Sequence, residues 1–264
     1  MKTTLTVVGA AGRMGLKIIS LAAESGEFEV VCAVERQGHP DIGRDAATLA
    51  GKEAAGVEVR DGFGASCDVA VDFSSPPSLQ ATVDYCRRAE AALVVGTTGL
   101  QEKHLDIIKA ASAEIAVLYA TNMSVGMNVL FDLAADVAAK LADDWDVEIT
   151  EQHHRYKKDA PSGSALTLAE RICGATGREF PGSLVCGRSG SDALRKAGEI
   201  GVHAVRAGGI TGTHEVIFGT AGETLTLKHT AQSRDIFARG ALRAARWIAG
   251  RKSGLYSMSD VLRG

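Results

Sequence analysis

Two different hydrophobic patterns divide this chain. In the first half, short apolar runs alternate with helical repeats. Thr4-Leu5-Thr6-Val7-Val8 is the first run, and Ile18, Ile19, Leu21 and Ala22 follow it at helical spacing. Further runs cover residues 28–34, 68–73, 92–95 and 115–120, with helical stretches ending at about Arg87 and covering about 101–112. Near-continuous apolar strands alternating with helices predict a parallel sheet covered on both faces. Ligands of such sheets bind at the C-terminal strand ends. Residues 125–141 predict a long amphipathic helix, and the pattern then changes. Residues 146–150, 201–205, 214–219 and 223–229 alternate apolar and polar side chains. They predict antiparallel or mixed strands, joined in part by the Gly-rich turns at 207–209 and 220–222. Helices are expected from Ala165 to Gly174 and from Ile236 to Ala249, and polar, Gly-rich 187–200 reads as a flexible loop. The expected fold is α/β: a doubly wound parallel sheet plus an α+β domain with an open mixed sheet. A sheet left open needs a cover, which makes oligomerisation plausible.

The turn after the first strand carries the first candidate chemistry. Gly9, Ala10, Ala11, Gly12, Arg13, Met14 and Gly15 form G-x-x-G-x-x-G between strand and helix, and the second strand ends at Glu35-Arg36. Strand, glycine turn, helix, strand and acidic residue make a dinucleotide-binding unit. Glycines let the backbone approach a pyrophosphate at the helix N-terminus. Glu35, twenty residues past Gly15, is placed to accept hydrogen bonds from the ribose. Arg36 permits a 2′-phosphate, so NADH and NADPH both stay open. Other polar strand ends, Ser74-Ser75, Gly96-Thr97-Thr98 and Asn122-Met123-Ser124, would line the same edge.

Composition narrows the class. At 264 residues the chain suits one large or two modest domains. The net charge of −3 gives no sign of a nucleic-acid surface, so any anion site must be local. Five cysteines without a C-x-x-C spacing read as reduced, buried thiols. No signal-peptide pattern is present, and no apolar run reaches the ~18 residues that span a bilayer. A cytoplasmic location and no membrane partner are therefore expected. No His, Cys and carboxylate set has metal spacing, so no metal is expected.

The second candidate site is the stretch from Glu151 to Ala165, which contains His153-His154-Arg155-Tyr156-Lys157-Lys158 and Pro161-Ser162-Gly163-Ser164. It reads as a strand end, a polar turn and a helix start. Ser162 is the expected N-cap, leaving the Gly163 and Ser164 N–H groups to meet a carboxylate. Lys157 adds a full charge, and a neighbouring histidine can donate a proton near neutrality. His39 and His104 are read as surface residues, and His203, His214 and His229 as structural ones.

These motifs together resemble the dihydrodipicolinate reductase family. The resemblance rests on Val8 to Gly15, Gly96-Thr97-Thr98-Gly99, Asn122 to Gly126, Glu151 to Ala165, Arg206 to His214 and Ser253-Gly254-Leu255-Tyr256. It implies a Rossmann-type dinucleotide-binding domain over 1–124 with 235–264. It also implies a substrate-binding and tetramerisation domain over 125–234, and a homotetramer. The implied reaction is hydride transfer from NADH or NADPH to a cyclic dicarboxylate of lysine and diaminopimelate biosynthesis. By that resemblance His153 is the general acid and Lys157 holds the substrate carboxylate. His154, Ser162, Gly163, Ser164 and Thr98 fall on substrate-binding positions. Gly9 to Gly15, Glu35, Arg36, Gly96, Thr97, Thr98, Thr121, Asn122 and Met123 fall on cofactor-binding ones. Two departures are Ser164 where the family has threonine, and Met123 where a relative has phenylalanine. Domain closure about 122–124 and 231–234 is expected to bring nicotinamide and substrate together. Two other readings stand beside this one: a different two-domain nicotinamide enzyme, and a nucleotide sensor without turnover.

Overall fold

The computed structural model describes residues 1–141 and 143–264. The chain splits into two compact units, Met1–Val125 with Asp235–Gly264, and Gly126–Arg234.

The first unit runs β1 (Thr3–Val8), α1 (Arg13–Ser25), β2 (Phe28–Val34), α2 (Ala46–Leu49), β3 (Val59–Arg60), β4 (Val69–Asp72), α3 (Leu79–Ala89), β5 (Ala92–Val95), α4 (Glu102–Ala111) and β6 (Ala116–Tyr119). The second unit holds nearly all of α5 (Val125–Lys140), then β7 (Asp146–His153), α6 (Gly163–Thr176), β8 (Leu184–Cys186), β9 (Ile200–Arg206), β10 (Thr213–Gly219) and β11 (Thr224–Thr230). The chain then returns to the first unit with α7 (Asp235–Ile248), β12 (Gly254–Tyr256) and α8 (Met258–Arg263).

Among the described residues, seven strands of the first unit form one parallel sheet in the order β12-β6-β5-β4-β1-β2-β3. The strand order reverses between β1 and β4, which leaves a crevice at their C-terminal ends. Leu5, Val7, Val71, Val94 and Leu118 pack on one face with Ile18 and Ile19 of α1 and Ala241, Ala245 and Ile248 of α7. Ala70, Leu93, Val95 and Val117 pack on the other with Leu79 and Val83 of α3 and Ile108 of α4. Burial on both faces explains why these strands are continuously apolar. Helix α1 stops at Gly26, whose φ of 66° supplies a left-handed cap.

The second unit contains a mixed sheet, β11-β10-β7-β9-β8. Strand β10 runs antiparallel to β7 and β11, and β9 runs parallel to β7 and β8. Val147, Ile149, Val202, Val216 and Phe218 face Leu130 and Phe131 of α5 and Leu168 and Ile172 of α6. The alternate positions Glu148, Thr150 and Gln152 of β7 point the other way.

Two expectations change. Residues 187–200, read as a flexible loop, are tied to the sheet through Glu148. Arg188 Nη1 and Arg195 Nε donate to its two carboxylate oxygens at 2.9 and 3.0 Å, and His203 Nε2 lies 2.6 Å from Oε2. His104 is buried rather than superficial, because its Nδ1 accepts the Gln101 N–H at 2.9 Å in the capping box of α4. All five cysteines are free, and Cys32, Cys67, Cys86 and Cys173 are buried. Among the described residues no helix is long and apolar enough to cross a membrane.

Candidate active site

The nucleotide-like half lies at the C-terminal ends of β1, β2 and β4. Gly9 follows β1 with φ of 78°, and a Cβ there would meet the Phe73 carbonyl oxygen at 2.7 Å. At Gly15 a Cβ would meet the Gly9 oxygen at 2.1 Å. The first requires glycine by conformation and the second by close packing of helix on turn. Gly12 is the N-cap of α1 and no side chain caps the helix, so backbone N–H groups remain to meet an anion. Arg13 is exposed at the start of the helix, while Ala10 is buried and Met14 packs against the core. A cavity of about 390 Å³ opens beside this turn, lined in part by Gly9, Gly12, Glu35, Arg36, Phe73 and Ser74. The Glu35 carboxylate accepts the Ala11 N–H at 3.2 Å and the Arg36 N–H at 3.0 Å. This cradle has the shape and donors a dinucleotide pyrophosphate needs, with an acid and a cation at its ribose end.

Beside it, Asp72 is fully buried at the end of β4. Its Oδ1 accepts from the Thr97 hydroxyl at 2.8 Å and the Ser74 N–H at 2.9 Å. That network fixes the turn carrying Gly96 and Thr97, both buried, while Thr98 is exposed. After β6, Thr121 is exposed, Met123 is buried, and the Asn122 side chain accepts the Ser124 N–H at 2.9 Å.

The histidine half belongs to the second unit. Residues two apart on a strand share a face, so Glu151 and His153 of β7 both point to the buried side. His153 Nδ1 lies 2.5 Å from Glu151 Oε2. Glu151 is wholly buried, and its oxygens accept both Arg206 terminal nitrogens at 2.7 Å and the Ser162 N–H at 2.9 Å. Arg206 also donates to the Asp159 carbonyl at 2.6 Å. Ser162 caps α6, its Oγ accepting the Ala165 N–H at 3.2 Å and lying 3.1 Å from His214 Nε2. Its hydroxyl is thereby committed within the protein. Gly163 begins α6 and is exposed, and Ser164 follows it. Lys157 Nζ lies 2.9 Å from Asp159 Oδ1. His154 Nδ1 is buried and makes no hydrogen bond to the described residues.

Burial pushes His153 below the ordinary histidine value, and Lys157 and Arg206 act the same way. The Glu151 carboxylate opposes them without prevailing. Burial would raise Glu151, but Arg206 and His153 outweigh it and keep its carboxyl below the usual range. Burial drives His214 down to about 3, with His153 contributing. His214 is therefore neutral near neutrality, and its Nε2 shares a hydrogen bond with the Ser162 hydroxyl.

The structure thus groups Gly9 to Gly15 with Glu35 and Arg36 in the first unit, and His153, His154, Lys157 and Ser162 to Ser164 in the second. Arg206, Asp159, His214 and Asp72 are partners that periodicity did not single out. Glu151 was legible as a same-face neighbour of His153. Arg206 was not, because its link to His153 is the parallel register of β7 and β9, which pairs the two residues. Among the described residues no cluster of three or more His, Cys, Asp or Glu could hold a metal ion.

Comparison with known proteins gives the family. The model of the dihydrodipicolinate reductase N-terminus matches residues 3–123, and that of its C-terminus residues 126–262. The chain is 43% identical to the 4-hydroxy-tetrahydrodipicolinate reductase of Alkalilimnicola ehrlichii, over 99% of both chains. It is 42% identical to that of Geobacter sulfurreducens, over 98% of both. A dipicolinate-bound dihydrodipicolinate reductase from Paenisporosarcina sp. TG-14 shares the fold, with TM-score 0.72 and 23% identity, over 97% of this chain and 98% of that one. This chain belongs to the dihydrodipicolinate reductase family.

Proposed function

We propose that this protein reduces 4-hydroxy-tetrahydrodipicolinate to tetrahydrodipicolinate in lysine and diaminopimelate biosynthesis, with His153 as proton donor. The observation that carries the reading is a buried histidine, bonded through Nδ1 to Glu151, in the same segment as a lysine and a serine-capped helix start. Curated relatives aligned over nearly the whole chain carry the reaction in their names.

A nicotinamide cofactor supplies the hydride. The chain's own residues do the rest. Gly9, Ala10, Ala11, Gly12, Arg13, Met14 and Gly15 hold the pyrophosphate against the start of α1. Glu35 takes the ribose hydroxyls of NADH, or Arg36 the 2′-phosphate of NADPH, and the ratio of the two activities decides between them. Gly96, Thr97, Thr98, Thr121, Asn122 and Met123 hold the nicotinamide end. Lys157, His154, Thr98 and the Gly163 and Ser164 N–H groups hold the two substrate carboxylates. Ser162 contributes as the cap that aims those N–H groups.

The C4 hydroxyl leaves as water to give a conjugated imine, hydride arrival at its C4 produces an enamine, and a proton must follow. His153 donates it from Nε2, since Glu151 occupies Nδ1. The ring is held below the ordinary histidine value. Two substrate carboxylates beside it favour the imidazolium, so the dianion charges its own acid as it binds. The same reading makes the protein a cytoplasmic homotetramer, with the mixed-sheet unit supplying the oligomer contacts.

The test is substrate-dependent oxidation of NADH and NADPH, with substrate made in situ by the preceding synthase. His153→Gln should lower kcat about 10²- to 10⁴-fold and leave cofactor affinity unchanged. Wild-type turnover by that variant would remove His153 from the chemistry. Oxidation of neither cofactor by the native protein would remove the reaction.

A further inference from the structure

We propose that Glu151 and Arg206 form a positioning pair that locks the His153 ring in its Nδ1–H tautomer and reserves Nε2 for proton transfer. The inference rests on the reading of His153 as the proton donor and assigns a role to two residues outside the substrate and cofactor sets.

The geometry is unusually complete. Glu151 is a carboxylate with no exposure, and a buried charge is tolerated only when it is paired and hydrogen-bonded. Its Oε2 takes one Arg206 nitrogen at 2.7 Å and faces His153 Nδ1 at 2.5 Å. Its Oε1 takes the second Arg206 nitrogen at 2.7 Å and the Ser162 N–H at 2.9 Å. An arginine fork on a carboxylate is rigid, because two parallel bonds fix its plane. With that plane fixed, the hydrogen bond to Nδ1 fixes the ring. An ionised carboxylate only accepts, so His153 must carry its proton on Nδ1. The neutral ring then keeps its lone pair on Nε2, and the charged ring donates from Nε2.

The same fork connects the rest of the segment. Arg206 holds the Asp159 carbonyl at 2.6 Å, two residues past Lys157. Glu151 holds the N–H of Ser162, the cap of α6. One buried pair thus sets the ring, the turn that carries Lys157 and the helix start. A purely structural ion pair would not need the histidine on its free side.

The groups facing His153 are Glu151 of β7, Arg206 of β9, His214 of β10 at 5.2 Å between ring centroids, and Lys157 of the turn. Glu151 favours the charged ring, while Lys157 and Arg206 disfavour it. His214 stays neutral near neutrality and adds no charge. The two members of the pair therefore push the ring in opposite directions, which gives the test its sign.

The first measurement uses the native protein labelled with ¹⁵N-histidine, with His153→Gln to assign the resonance. A neutral His153 should show a protonated Nδ1 and an unprotonated Nε2. A protonated Nε2 in the neutral ring would overturn the proposal, and this needs no variant of the pair to fold. The second is the pH profile of kcat/KM. Glu151→Gln should move the limb assigned to His153 to lower pH by about one unit and cut kcat about tenfold or more. Glu151→Asp should return the profile toward native. Arg206→Gln should move that limb to higher pH while still lowering kcat. The KM for NADH should be unchanged in all three. A native profile and kcat in Glu151→Gln would overturn the pair's role. Full turnover by His153→Gln would overturn the reading of His153 beneath it, whatever its tautomer.

Discussion

Asp159 places a carboxylate 2.9 Å from the Lys157 ammonium. Burial alone would raise the Asp159 carboxyl, but the hydrogen bond and charge of Lys157, together with backbone N–H groups including that of Gly163, outweigh it and hold Asp159 below the usual range. Lys157 and Gly163 are two of the groups assigned to the substrate carboxylates, so Asp159 competes with the ligand. More than half of its side chain is exposed, which limits the pair to about 1 kcal/mol. Asp159→Asn should therefore tighten substrate binding by a few-fold, read as a lower KM for the dicarboxylate substrate. Weaker binding would mean that Asp159 holds Lys157 in place instead. His214 offers a second test at this scale. Folded His214 titrates at about 3, while an unfolded histidine takes its proton near 6.5. Between those values the unfolded chain binds more protons, so stability falls as pH falls through that window. Going from pH 7 to pH 5 should cost on the order of 2 kcal/mol from this residue. Urea melts of native protein and His214→Asn at the two pH values would show it as a shallower pH dependence in the variant. An equal dependence in both would place the acid sensitivity elsewhere, with His153 and His229 the next candidates.

At the scale of elements, α7 matters through its contact with the end of β6. A Cβ on Gly240 would lie 1.7 Å from the Met123 carbonyl oxygen, so alanine there forces helix and strand end apart. Gly240→Ala should lower stability by about 1–3 kcal/mol and raise the KM for NADH, because Asn122 and Met123 move. An unchanged melting temperature and KM would show that the strand end yields freely. The long apolar strands β1, β2, β4, β5 and β6 were legible because burial on both faces leaves a continuous hydrophobic signature. Strands β3, β8 and β12 were not. Each has two or three residues, and β12 exposes Leu255, so its identity comes from the edge of β6 that it covers. The glycine turn, Glu35 and the serine cap were legible because local backbone chemistry dictates them. The Glu151–Arg206 pair spans 55 residues, and only the β7–β9 register brings it together.

For the whole molecule, the decisive feature is that the chain leaves the first unit at Val125 and returns at Asp235. The returning segment completes that unit's core. Ala238, Ala241, Leu242, Ala244, Ala245, Ile248, Met258 and Val261 all join the cluster that covers one face of the parallel sheet. Leu242, Ile248, Met258 and Val261 alone account for roughly 1.5–3 kcal/mol each of burial. Their sum is comparable to the 5–15 kcal/mol that typically separates folded from unfolded protein. The same deletion would strip β12 from β6 and leave an unpaired parallel edge. A chain ending at Arg234 should therefore fail to form the first unit, even though it retains the glycine turn, Glu35 and Arg36. The expected signs are lost NADH binding and rapid proteolysis within residues 1–125. The second unit keeps its own core of Val147, Ile149, Val216 and Phe218 against α5 and α6, so its fragment should resist the same digestion. A truncated chain that still bound NADH would mean that the six remaining parallel strands with α1, α3 and α4 suffice, and that α7 is dispensable for cofactor binding.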